Sequence, residues 1–223
     1  MDELVLKITS ELARLREPPN DNKFTTGEIR KIAALNYKLV KNERSDKVFY
    51  LCENLLKFRS WPEGVVAFDI ANRLRGRYGE GTFKLFEGWL IDYVRGWGDC
   101  DDFCVHAFGE LICRFPRLTD RTALWVSRDE FWMRRASAVV LILPIKRGLR
   151  EKVNPFAVSD ALIGDDDRLV RNGYSWMLKE LSKREPDLVF DYLEKNKSIM
   201  PKPALRYAAA KLGGEMKDKL LRR

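Results

Sequence analysis

The chain has 223 residues, enough to bury about 70% of its unfolded surface in one core or two small ones without disulfide or metal staples. Forty-one Lys and Arg against 33 Asp and Glu leave a formal charge of +8 and a pI near 9.3, which points to an extended polyanion or an anionic surface as partner. A single histidine, His106, excludes metal sites built on two or more imidazoles and argues against a Ser-His-Asp triad.

Apolar residues recur at i, i+3, i+4 and i+7 almost throughout, and period-two runs rich in Val, Thr and Ile are nearly missing, which predicts an all-α protein. The first helix spans about 2–16 and stops before the breaker cluster Pro18-Pro19-Asn20-Asp21-Asn22. The second follows Thr25-Thr26, an N-cap signal with Glu28 in the first turn, and runs to about Lys41. Further helices are expected at about 46–59, 62–77, 82–95, 98–114, 118–126, 129–147, 155–163, 166–183, 186–196 and 202–220, punctuated by Gly and Pro.

The N-terminal segment MDELVLKITSELARLRE carries acidic residues at once and has no uninterrupted apolar stretch, so it does not read as a signal peptide. The longest apolar run, Ala138 to Leu143, falls far short of the ~20 residues that cross a bilayer. A cytoplasmic protein without a membrane segment is expected. Cys52, Cys100, Cys104 and Cys113 lie in apolar helical stretches and read as reduced core thiols.

Many short helices joined by tight turns suggest stacked helical pairs. Trp61, Trp97, Trp132 and Trp176 open or sit inside helices at spacings that bracket the two-helix HEAT or armadillo unit of about 40 residues. The expectation is a single domain over 1–223, a curved α-α superhelix of HEAT-like helical pairs. Such an array has a concave wall, and the net charge makes that wall a candidate groove for a rod-shaped polyanion. The basic residues recur along the chain: Arg73, Arg75 and Arg77; Arg134 and Arg135; Lys146, Arg147 and Arg150; Lys217, Lys219, Arg222 and Arg223. Their spread suits contact with a phosphate backbone better than one anion pocket.

Three segments hold the candidate chemistry. In Gly96-Trp97-Gly98-Asp99-Cys100-Asp101-Asp102, helical spacing sets Trp97 and Asp101 on one face, one turn apart, while Asp99 reads as a helix-start charge. Phe131-Trp132-Met133-Arg134-Arg135-Ala136 brings two arginines to the entrance of an apolar helix. Val170-Arg171-Asn172-Gly173-Tyr174-Ser175-Trp176 carries another tryptophan. Each tryptophan alone is a core residue first. A metal site from Asp99, Cys100, Asp101, Cys104 and His106 is disfavoured by the helical spacing of its thiols, and Asp165-Asp166-Asp167 reads as a helix start.

In this order the three segments resemble the HEAT-like DNA alkylation repair enzymes, the AlkD-like alkylpurine DNA glycosylases, over most of the chain. Trp97 and Asp101 fit Trp-x-x-x-Asp, Trp132 with Arg135 and Ala136 fits Trp-x-x-Arg-Ala, and Arg171 with Trp176 and Leu178 fits the third pattern. The residue after the first tryptophan is acidic in the family pattern, whereas Gly98 stands here and acid returns at Asp99 and Asp102, so Asp102 rivals Asp101.

The resemblance implies excision of cationic N3- or N7-alkylated purines from duplex DNA by a monomer that needs no metal or other cofactor. Asp101, Trp97, Arg135 and Trp176 are then the catalytic candidates, and Trp132, Arg134, Arg171, Lys146 and Arg147 the DNA-binding ones. The alternative is a HEAT-like scaffold that binds nucleic acid or protein without chemistry.

Overall fold

The helical period of the sequence is realised throughout: the computed structural model describes residues 1–16 and 25–222, and among them no strand occurs. The breaker cluster at 18–22 and Arg223 lie outside the described residues. The chain forms two compact units, Met1–Leu111 and Ile112–Arg223.

The first unit contains α1 (Asp2–Leu15), α2 (Thr26–Val40), α3 (Ser45–Leu56), α4 (Trp61–Arg73), α5 (Thr82–Asp92) and α6 (Trp97–Phe103). A π-helical turn at Cys104–Phe108 leads into α7 (Gly109–Arg114), inside which the unit boundary falls. The start of α2 is closed by a capping box. Thr25 Oγ1 accepts from the Glu28 N–H (3.3 Å), and Glu28 Oε2 accepts from the Thr25 N–H (2.7 Å). Donation to Glu28 Oε2 from the Thr25 N–H, and from the Thr25 hydroxyl at 2.9 Å, holds the Glu28 carboxyl below its ordinary pKa.

Helix α4 packs against both α2 and α3, which explains why Val65, Val66, Ala67, Phe68, Ile70 and Ala71 are all buried. Around it lies an aromatic core centred on Phe86. Phe49, Tyr78 and Phe103 meet that ring edge-on at 5.1 to 5.9 Å, geometries that add to simple area burial.

The second unit contains α8 (Thr119–Thr122), α9 (Phe131–Val139), α10 (Ile142–Lys146), α11 (Arg150–Val153), α12 (Pro155–Leu162), α13 (Arg168–Ser182), α14 (Pro186–Asn196), α15 (Lys202–Ala208) and α16 (Gly214–Leu221). Helix α13 is its centre, in contact with α9, α10, α12, α14 and α15, and it buries Val170, Tyr174, Met177, Leu178 and Leu181.

Several expected helices are subdivided, each for a local reason. The stretch 129–147 breaks after Val139, because Pro144 has no N–H to give the carbonyl four residues back. The stretch 202–220 breaks at Leu212-Gly213, after a 3-10 turn at Ala209–Lys211, and 98–114 contains the π turn. Cys52, Cys100 and Cys104 are buried, and burial pushes the Cys52 pKa well up.

Candidate functional site

Helix α6 opens at Trp97 after Gly96, whose extended backbone makes the N-cap. Its inner side is fixed by Cys100 and Phe103, both fully buried, with the Phe103 ring stacked on Phe68 of α4 at 4.4 Å. At 100° per residue that anchoring turns Trp97 and Asp101, 40° apart around the axis, to the outer side. Trp97 is 56% exposed, against 2% for the core residue Trp89. Asp101 is half-buried.

The three acidic residues of α6 have separate surroundings. Asp102 is clamped: Arg30 of α2 donates from Nη2 to its Oδ1, and His106 Nδ1 lies 3.3 Å from the same oxygen. The backbone oxygen of Asp102 also accepts from His106 Nδ1, at 2.8 Å. A cavity of about 10 Å³ beside this clamp is lined by Asp69 and Asn72 of α4 as well. Asp99 lines a different pocket, of about 50 Å³, with Arg59, Ser60, Tyr93 and Arg95. Burial, and then the charge of Asp102, raise its pKa.

In the second unit, α9 presents Trp132 half-buried, with Phe131 edge-on to it at 5.4 Å. Arg134 is bound from three sides. Its Nε and Nη2 reach the two carboxylate oxygens of Asp165 (2.6 and 3.3 Å), and Nη1 donates to the carbonyls of Arg128 and Asp129. Asp165 also takes the N–H of Asp167 (2.8 Å), and its carbonyl accepts from Arg171 Nη1 at 3.4 Å. Asp167 is the N-cap of α13, accepting from the Leu169 N–H at 2.6 Å.

Arg135 is 5% exposed and donates from Nη1 to the Leu169 carbonyl. It runs across Gly173 of α13 so closely that a Cβ there would sit 3.1 Å from its Cγ. Trp176, one turn beyond Asn172 on α13, is half-buried. Lys146 and Arg147 are exposed at the end of α10, and Lys146 Nζ lies 3.8 Å from Glu180.

Trp97 and Asp101 thus share a helix face in the first unit. Trp132, Arg134, Arg135, Arg171 and Trp176 belong to two packed helices of the second. Several of the basic residues prominent in the sequence have partners inside the fold. Arg73 binds Asp69 (2.6 Å), Arg77 donates to the carbonyls of Glu43 and Lys41 at the end of α2, and Arg150 pairs with Glu185 (2.9 Å). Sequence reasoning missed Arg30, 72 positions from its carboxylate, for which no local signal exists. The i, i+4 spacing of Asp102 and His106 was a usable signal for the other half of the clamp.

Residues 24–212 match the family model described as DNA alkylation repair enzyme. None of the curated proteins compared matches the chain. Among solved structures, one described as a predicted DNA alkylation repair enzyme from Enterococcus faecalis is 17% identical with a TM-score of 0.71, covering 86% of this chain and 87% of that one. AlkD2 from Streptococcus mutans is 18% identical with a TM-score of 0.64, covering 93% and 100%. At these identities the likeness to the solved structures is one of all-helical fold, and no helix among the described residues is long and apolar enough to cross a membrane. With the family model matched over most of its length, the chain belongs to the DNA alkylation repair enzyme family.

Proposed function

We propose that the chain is a DNA glycosylase that removes cationic N3- or N7-alkylated purines from duplex DNA, with water as nucleophile. The observation that carries this reading is the pairing of an exposed indole, Trp97, with Asp101 one turn on, while the neighbouring Asp102 is engaged by Arg30 and His106. The carboxylate assigned to the reaction is Asp101, which stands at the Trp-x-x-x-Asp spacing from Trp97.

The chemistry suits so small a set of groups. A purine alkylated at N3 or N7 is already cationic and departs as a neutral base, so no general acid is required. What develops in the transition state is positive charge on the sugar, and one carboxylate stabilises it and orients the attacking water. The face of Trp97 attracts the cationic base or sugar, a contribution of about 0.5 to 2 kcal/mol.

Arg135 would have to leave its buried place beside Gly173 to grip a phosphate. We assign it to holding α9 and α13 in register, with Arg134 doing the same through Asp165. Contact with DNA falls to Trp132, Arg171, Lys146 and Arg147, and binding through such cations weakens about linearly with log salt.

The test is incubation of the full chain with methylated duplex DNA. Release of free 7-methylguanine or 3-methyladenine, with an abasic site left behind, is the expected result. Binding to the DNA with no base released overturns the glycosylase reading in favour of a scaffold without chemistry.

A further inference from the structure

We propose that the end of α14 together with α15 and α16 forms a binding site for a small organic phosphate, a dianionic head carried on an apolar body. A pocket of about 350 Å³ lies among these elements, and among the described residues no carboxylate lines it. Lys202, Arg206 and Arg222 converge on it, and among the described residues none of the three has an ion-pair partner. Lys197, on the rim, is held by Glu194 at 2.7 Å.

Several other cations of the unit are paired: Arg134 has Asp165, Arg150 has Glu185, and Lys183 has Glu180. Like charges gathered around one concavity repel one another until an anion enters. Two guanidinium forks and an ammonium offer the donor geometry of a phosphate site.

The floor decides the rest of the ligand. Leu205 and Leu220, almost wholly buried, and Leu221, 39% exposed, line the same pocket, so about half of its wall is apolar. A free inorganic anion makes no use of such a floor. The volume is at the lower end of small-molecule sites, suited to a mononucleotide or a short alkyl phosphate and too small for a duplex, whose phosphodiesters rest on open surface. The proposal stands apart from the glycosylase reading, since no residue assigned to that reaction lines the pocket.

The experiment is calorimetric titration of the full chain with inorganic phosphate, deoxyadenosine monophosphate and octyl phosphate. At least one organic phosphate is expected to bind about ten-fold or more tighter than inorganic phosphate, the two arms separating a nucleotide body from a lipid-like one. In the Lys202→Gln/Arg206→Gln variant that binding is expected to weaken about ten-fold or more, with an unchanged unfolding midpoint. Equal affinity for all three anions, or binding indifferent to the double substitution, overturns the proposal. So does a variant that loses affinity for duplex DNA while neither organic phosphate binds the wild type, because the cations then serve the DNA backbone.

Discussion

His106 Nδ1 lies 2.8 Å from the backbone oxygen of Asp102 and 3.3 Å from its carboxylate, one helical turn back. Both oxygens are acceptors, so Nδ1 carries a proton and Nε2 is the nitrogen that titrates. The hydrogen bond to the Asp102 carboxylate raises the His106 pKa, against burial and the nearby Arg30.

His106 being the chain's single histidine, its imidazole gives one NMR titration curve. The midpoint is expected above the ordinary 6.5 in the wild type and back near it in Asp102→Asn. A histidine pKa raised on folding contributes stability that is complete below about 6.5 and is lost as pH climbs through the raised value. The gap in unfolding midpoint between wild type and His106→Gln should therefore close from mildly acidic to alkaline pH. A wild-type midpoint at or below 6.5 contradicts the clamp.

Asp99 makes the opposite prediction. Its pKa is raised, so the folded state favours the protonated carboxyl, and ionisation above the ordinary 3.8 works against folding. Asp99→Asn should leave the protein as stable or slightly more stable at neutral pH and leave base release unchanged. A clear fall in the unfolding midpoint would show that Asp99 does structural work as a charge.

With more than half of its surface exposed, Trp97 contributes little to the core. Trp97→Ala is expected to keep the unfolding midpoint while lowering base release about 2- to 30-fold, the range of one cation-π contact. Loss of stability without loss of rate would reassign this side chain to packing.

Gly173→Ala adds a methyl group 3.1 Å from the Arg135 side chain. Helix propensity favours the alanine by about 1 kcal/mol, and overpacking at a buried contact costs about 1 to 3 kcal/mol. A net loss of about 1 kcal/mol is expected, read from denaturant unfolding. A stabilised variant would mean that Arg135 moves aside freely.

How much of this was legible in the sequence varies with the range of the interaction. Helix period, the Thr25–Glu28 cap and the one-turn spacing of Trp97 and Asp101 are local and were readable. The same locality let Asp167 be read as a helix start, which its bond to the Leu169 N–H realises. The distant partners of Asp102 and Arg134 were not readable, because Arg30 and Asp165 reach them only through tertiary packing. Burial of Arg135 was hidden for a related reason: two adjacent arginines look equally solvated until Gly173 opens a channel for one of them. The charge total named a class of partner but not the residues that would meet it. Many of the cations are spent on carbonyls and carboxylates inside the fold, whereas the unpaired Lys202 and Arg206 drew no attention in the sequence.

The central claim, that Asp101 does the chemistry and Asp102 holds the helix, is tested most directly by single-turnover base release from methylated duplex DNA at saturating enzyme. Asp101→Asn is predicted to slow release about 10²- to 10³-fold, the loss expected for one preorganised electrostatic group. Asp102→Asn is predicted to lower the midpoint, by about 1 kcal/mol for a partly exposed charged bond, and to slow release far less. A rate that collapses in Asp102→Asn and survives in Asp101→Asn would contradict the account.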